Sequence, residues 1–260
     1  MNALEMTPTW EDNPPDAEFV WSKITDEVAH YNRVEPQLGL MLERCVLQPK
    51  TMTDAMAEVL AHRLSRARHD WPVLSLCQQV YDEAPELEAF IARDILAVRS
   101  RDPACFALSQ AFLFFKGFHA LQAHRIAHHL WRDGRKFSAL ALASGSSAVF
   151  GVDIHPAARI GGGIMIDHAT GVVIGETAVV GDNVSILHCV TLGGNGHERV
   201  DRHPKVGSGV LLGAGATLLG NITIGDNAKI GAGAVVVKDV PANHVAIGMP
   251  ARNTTGSARA

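Results

Sequence analysis

Val206–Val236 reads VGSGVLLGAGATLLGNITIGDNAKIGAGAVV, and the spacing of its aliphatic residues decides the fold. Val206, Leu212, Leu218, Ile224, Ile230 and Val236 fall at every sixth position. Two residues before each of the last five stands another small or apolar residue: Val210, Ala216, Ile222, Ala228 and Ala234. On an extended strand, positions two apart share a face. Each unit therefore offers two inward side chains and then a turn. Gly207, Gly213, Gly225 and Gly231 follow the aliphatic position, where the turn is expected to need a permissive backbone. A sustained period of six is the signature of a parallel β-helix. Three units close one triangular coil, and stacked coils bury an aliphatic column while pairing their backbones in parallel.

Upstream the same unit recurs in two further registers. One runs Ile154, Ile160, Ile166, Val172; the other runs Ile174, Val180, Ile186, Leu192. Ala158, Ile164, Ala178, Val184 and Val190 take the second inward position, and Gly161, Gly175 and Gly181 the expected turns. Residues 152–238 then make about five coils.

The three registers are out of phase. Ile166 to Ile174 is eight residues, one unit plus two; Leu192 to Val206 is fourteen, two units plus two. Within the second gap, GGNGHERVDRHPK (Gly193–Lys205) has no apolar unit and should leave the coil as a loop. These irregularities hold Asp167, His168, Arg202 and His203. A segment that breaks the local rule is where a functional site is expected. His168 suits general-base work near neutral pH. Such a base needs an orienting carboxylate, and Asp153, fifteen residues earlier, lies nearly one coil away. Arg202 offers a planar fork for a carboxylate. Together they point to a small zwitterionic substrate with a hydroxyl to deprotonate. Singly, each has a plainer reading: His168 as a surface or capping residue, Asp167 as a turn residue, Arg202 as a solvated loop charge.

The first 148 residues read as helical. Glu18–Tyr31, Met52–Arg66, Leu87–Arg99 and Phe118–Trp131 space apolar residues three and four apart. Asp70-Trp71-Pro72 and Ala84-Pro85 look like helix starts, and Gly134 like a stop.

The chain has 260 residues, 47% hydrophobic and 19% charged, enough for a real core. A net charge of −4 without a long basic run gives no footprint for nucleic acid or an anionic membrane. Cys45, Cys77, Cys105 and Cys189 form no CxxC pair, and are expected as four buried thiols in a reducing cytoplasm. The acidic start lacks a signal-peptide pattern. Ala104–Phe118 and Phe137–Val152 are too short, or too rich in Ser and Gly, to span a bilayer. A cytoplasmic protein is the expectation.

Six motifs, in family order, resemble the serine acetyltransferases. They are RDPA (Arg101–Ala104), KGFHALQAHRIAH (Lys116–His128), VDIHPAARIG (Val152–Gly161), GIMIDHATGVVIGETAVV (Gly163–Val180), TLGG (Thr191–Gly194) and DRHPK (Asp201–Lys205). The resemblance implies an α+β fold: an all-α N-terminal domain over 1–148, a left-handed parallel β-helix over 149–250, and a short tail over 251–260. Periodicity alone does not reveal the hand. The resemblance implies acetyl transfer from acetyl-CoA to L-serine, the first step of cysteine biosynthesis from serine. His168 would be the base and Asp153 its orienting partner. Asp102 and Asp167 would bind the serine ammonium, Arg202 and His203 its carboxylate. Backbone near Gly194, Ala214 and Ala232, with Lys229, would contact CoA. No metal is implied. Asp102 enters on the resemblance alone, and needs the helical domain to pack on the site.

The family also implies trimers along the coils, hexamers built through the helical domains, and acetyl-CoA lying between neighbouring β-helices. It implies feedback by L-cysteine, and docking of O-acetylserine sulfhydrylase onto a tail ending in isoleucine. Here GMPAR is followed only by NTTGSARA, without that isoleucine, which puts the sulfhydrylase partnership in doubt.

Other readings stay open. His124 and His128, four apart, have zinc-binding spacing, but no Glu follows the first as a metalloprotease motif requires. Packing and surface roles are expected for them. A hexapeptide acyltransferase for a sugar or another amino acid is one rival. A metal enzyme like the γ-class carbonic anhydrases, with His168, His188 and His203 as ligands, is the other.

Overall fold

The computed structural model describes residues 16–65, 71–196 and 200–248. The expected tail at 251–260, the first fifteen residues, Asp70, the end of the second expected helix at Arg66, and part of the long loop lie outside the described residues.

The helical region comprises α1 (Ala17–Val34), α2 (Gly39–Leu42, continued by a π-helical turn over Glu43–Leu47), α3 (Met52–Leu64), α4 (Val73–Glu83), α5 (Leu87–Arg101), α6 (Leu108–Phe114), α7 (Lys116–Arg132) and α8 (Lys136–Phe150). The starts follow local chemistry. Asp16 Oδ1 accepts from the Phe19 amide at 2.8 Å and Thr51 Oγ1 from the Asp54 amide at 3.1 Å, each satisfying a donor that the first turn leaves open. Gly134, with φ +81°, lies just beyond α7 as expected. At the end of α8, Gly151 with φ +69° turns the chain into the first strand. Among the described residues, no helix is long and apolar enough to cross a membrane.

The strands run coil by coil. The first coil holds β1 (Val152–Ile154), β2 (Arg159–Ile160) and β3 (Met165–Ile166). The second holds β4 (Val172–Ile174), β5 (Val179–Val180) and β6 (Ser185–Ile186). The third holds β7 (Thr191–Gly193), β8 (Lys205–Val206) and β9 (Leu211–Leu212). The fourth holds β10 (Thr217–Leu219), β11 (Thr223–Ile224) and β12 (Lys229–Ile230), and β13 (Val235–Val236) and β14 (Val245–Ala246) follow. They stack as three parallel sheets, β1-β4-β7-β10-β13, β2-β5-β8-β11 and β3-β6-β9-β12-β14. The expected column is the core: Val206, Leu212, Leu218, Ile224, Ile230 and Val236 are all buried.

Two expectations change. Glycines after the aliphatic position are not there for an unusual φ, since Gly161, Gly181, Gly207 and Gly213 are not among the positive-φ residues. They are there because the next coil is too close. A Cβ on Gly213 would lie 2.6 Å from the Ala232 nitrogen. Cys45, Cys77 and Cys105 are buried, but Cys189 is exposed, at a turn with φ +56°.

The helices cap the open end of the solenoid. Alternate backbone groups of the first coil pair with the second: the amides of Arg159, Gly161, Met165 and Asp167 donate to it. The groups facing the other way have no coil to meet, and a buried orphan is costly. Helical side chains satisfy them. Arg125 donates to the Ile160 and Gly161 carbonyls at 3.3 and 2.7 Å, Arg101 to the Gly163 carbonyl at 3.0 Å, and His128 Nδ1 to the Pro156 carbonyl at 2.8 Å. Asp94 Oδ1 accepts from the Ile164 amide at 2.9 Å. Asp94 in turn binds Arg125 through both oxygens and Gln122 at 3.0 Å. Gly117, near the start of α7, fits because a Cβ there would strike the Ile166 carbonyl.

The buried histidines make this packing acid-sensitive. His119 donates from Nε2 to the Phe112 carbonyl at 2.8 Å, and burial lowers its pKa to about 4. Burial also lowers His124 well below the ordinary range. The unfolded chain then binds protons that the folded chain refuses. The stability from neutral His119, about 3 kcal/mol, is complete above pH 6.5 and is lost as pH falls towards 4. Urea midpoints measured from pH 7.5 to 4 are expected to fall steadily below pH 6.5; a flat profile would overturn this.

Candidate active site

The first slip builds one corner of the coil. Successive coils pair Asp167 N with Ile186 O at 2.8 Å, Leu187 N with Leu212 O at 3.0 Å and Gly213 N with Ile230 O at 2.8 Å. Beyond that point the amides of Cys189, Gly215 and Gly233 donate to the Thr170, His188 and Ala214 carbonyls at 2.8, 2.9 and 2.8 Å, so Thr170, His188, Ala214 and Ala232 form a ladder and His168 stands off from it. In the later coils a single positive-φ residue follows the ladder position: Cys189, Gly215 or Gly233. In the first coil Gly171, at φ +78°, takes that place, and His168 and Ala169 are left-handed as well, at φ +54° and +60°. His168 and Ala169 are the extra residues, since the Cys189 amide meets the Thr170 carbonyl as the Gly215 amide meets that of His188. They make β1 and β4 pair as Val152↔Val172, twenty apart, where β4 and β7 pair as Val173↔Thr191, eighteen apart. The bulge leaves His168 exposed and Asp167 half-buried. The His168 ring stands edge-to-face with His188, centroids 6.0 Å apart. Lys116 of α7 holds the Thr170 hydroxyl.

The second slip builds the opposite corner of the same sheet, between β4 and β5. Thr177 Oγ1 accepts from the Arg202 and His203 amides, each at 3.1 Å. His203 Nδ1 receives the Thr177 amide at 3.2 Å and lies 2.8 Å from its hydroxyl. Arg202 donates to Glu176 at 2.7 Å, and this contact holds the Glu176 carboxyl below its usual range. The His203 imidazole is buried over Gly175, where a Cβ would come within 2.0 Å of Nε2, and Gly194 packs beside Arg202 and His203.

The ten residues singled out from the sequence are thus divided. Asp167, His168, Ala214 and Ala232 share one corner; Gly194, Arg202 and His203 share the other. Asp153 projects from the exposed centre of β1 between them, and makes no hydrogen bond to His168 among the described residues. Asp102 caps α5, its carboxylate accepting from the Ala104 amide at 2.8 Å. The neighbouring Arg101 docks that helix end on the first coil, the packing that a role for Asp102 requires. Lys229 lines a cleft of about 730 Å³ with Arg101, Ser185 and Leu211. Sequence reasoning missed Glu176, Thr177 and the Asp94–Arg125 cap. Glu176 and Thr177 stood in an unremarkable turn after Ile174, and only the contacts reveal their partners. Among the described residues, no group of three or more His, Cys, Asp or Glu side chains is placed to hold a metal ion.

Comparison with known proteins matches this architecture end to end. Residues 20–123 match the family model of the serine acetyltransferase N-terminal region, and residues 203–238 that of the bacterial transferase hexapeptide repeats. Serine acetyltransferase of Escherichia coli (strain K12) is 48% identical over 240 residues, covering 91% of this chain and 87% of that one. Serine acetyltransferase 2 of Arabidopsis thaliana is 49% identical over 239 residues, 92% of this chain and 74% of that one. The crystal structure of Neisseria gonorrhoeae serine acetyltransferase in complex with serine superposes with a TM-score of 0.84 at 47% identity, covering 93% and 98% of the two chains. That of the Brucella abortus strain S19 enzyme in complex with coenzyme A gives 0.85 at 44%, covering 94% and 97%. A helical region followed by the left-handed hexapeptide β-helix is the fold of this chain, and the chain belongs to the serine acetyltransferase family.

Proposed function

We propose that this protein transfers the acetyl group of acetyl-CoA to the hydroxyl of L-serine, giving O-acetyl-L-serine and CoA, the step that commits serine to cysteine synthesis. The observation that carries the reading is the bulge at His168–Ala169, which sets His168 out, exposed, beside a rigid ladder instead of completing a turn. His168 takes the proton from the serine hydroxyl as that oxygen attacks the thioester carbonyl. The C–S bond then breaks, and CoA leaves with the proton returned to its sulfur. Asp153 orients the imidazole once substrate fills the groove. Asp102 and Asp167 meet the ammonium, Arg202 and His203 the carboxylate. Ala214, Ala232 and Lys229 line the base's side of the groove for CoA, with Gly194 opposite.

The base and the carboxylate fork occupy opposite corners of one sheet. A serine molecule touching both is best served by two chains, each giving one corner. Trimers along the coils would meet that need, and the pairing of trimers into hexamers through the helices is taken from the family resemblance. L-cysteine, which differs from serine by sulfur for oxygen, competes in the same pocket. Thiol release from acetyl-CoA is expected with L-serine and not with a galactoside, and to fall when L-cysteine is added. Release with the galactoside and none with L-serine would reject the reading.

A further inference from the structure

The hydrogen bonds of Thr177 decide the chemistry of its neighbour. A hydroxyl has two acceptor lone pairs and one proton. Both lone pairs of Thr177 Oγ1 are taken by the Arg202 and His203 amides. Its proton has two acceptors in reach, His203 Nδ1 at 2.8 Å and the Asp201 carboxylate, so the Thr177 amide decides the state of Nδ1. The Thr177 amide points at the same nitrogen from 3.2 Å, and an amide N–H can only donate. His203 Nδ1 thus accepts from that amide and carries no proton. A neutral imidazole must then keep its proton on Nε2. That edge lies over Gly175 and beside Gly194, the two glycines whose missing Cβ leaves room for the ring.

We infer that Thr177 is a positioning residue that locks His203 as a neutral Nε2–H donor aimed at an oxygen of the amino-acid carboxylate. The ligand assignment rests on the serine reading above; the tautomer does not. Three consequences follow. His203 cannot act as a base, because Nε2 already holds a proton and Nδ1 is occupied. It does not become an imidazolium, since a second proton would have to enter at Nδ1 against the Thr177 amide. Burial, Arg202, Lys205 and His155 also hold its pKa below the ordinary range, against the pull of Glu176. Nor can it serve as a metal ligand, because the nitrogen free to reach a metal is the protonated one. The set His168, His188 and His203 loses a member on these grounds. The positive charge that meets the carboxylate then comes from Arg202, already aimed by Glu176, and His203 adds direction.

Neutron diffraction from deuterated crystals of the full chain reads the proton directly. Density on Nε2 and none on Nδ1 is expected; a deuteron on Nδ1 would overturn the lock, whether or not any variant folds. Thr177→Val removes the hydroxyl while keeping shape, and is expected to raise the serine KM by about tenfold, the worth of one hydrogen bond, with kcat changed less than about threefold. Thr177→Ser is expected to restore it. An unchanged KM in Thr177→Val would overturn the positioning role. A locked tautomer in a protein that does not acetylate serine would reject the substrate assignment alone.

Discussion

Replacing His168 by glutamine is expected to lower kcat by about 10²- to 10⁴-fold, the range for loss of a general base, with the acetyl-CoA KM nearly unchanged. The side chain of glutamine fills similar space and can hydrogen-bond, but it cannot take a proton. His168 is exposed at its corner. Asp167 is half-buried behind it. His188 stands one coil away, its ring 6.0 Å from that of His168. The fold should survive the change, because the His168 backbone bonds to the Thr170 amide inside the bulge and its side chain meets the His188 ring. Steady-state thiol release at saturating serine and acetyl-CoA checks this. Arg202→Ala acts at the opposite corner and should raise the serine KM instead. Near-normal turnover in His168→Gln would remove this residue from the mechanism.

The column was legible because a period of six has one geometric solution. Leu212, Leu218 and Ile224, read off the sequence, are fully buried. The slips were legible too, as arithmetic: two surplus residues must bulge somewhere, and they bulge at His168–Ala169. Lateral placement was not legible. Counting residues assigns Arg202 to a coil, but the fourteen-residue gap before Val206 hides which corner it reaches. Only the contacts with Glu176 and Thr177 show that it sits opposite His168. The turn glycines were assigned the wrong cause for a similar reason. Their environment is the next coil, and a single unit of the repeat does not reveal how closely that coil approaches. Asp94 and Arg125 were invisible for another. Helical periodicity marks an apolar face, yet says nothing about which helix meets the open rim of the solenoid.

That rim makes Asp94→Asn the most damaging conservative change outside the two corners. Asp94 is fully buried, and Arg125 is nearly so. Burial pushes the Asp94 carboxyl above the usual range, against Arg125, the Ile164 amide and Gln122. Their fork of bonds, at 2.9 and 3.0 Å, is reinforced by Arg125 lying 4.3 Å from the centre of the Phe90 ring. Asparagine keeps the shape and removes the charge. Arg125 is then left buried, bonded to carbonyls and stripped of its counter-ion, a defect worth about 3–5 kcal/mol. For a chain of this length that is a fall in Tm on the order of 10 °C, and the urea midpoint should drop with it. Replacing both partners, Asp94→Leu with Arg125→Met, removes the orphaned charge and should recover much of the difference. It will not recover all, because the Ile160 and Gly161 carbonyls and the Ile164 amide lose their caps. A loss below about 1 kcal/mol in Asp94→Asn would mean that the rim is sealed by packing alone. A large loss that the double variant does not relieve would assign the stability to the capped backbone groups and not to the ion pair. The catalytic readout separates this role from chemistry: well below its lowered Tm, Asp94→Asn should turn over normally, since the network touches the first coil at Ile160–Ile164 and not at His168.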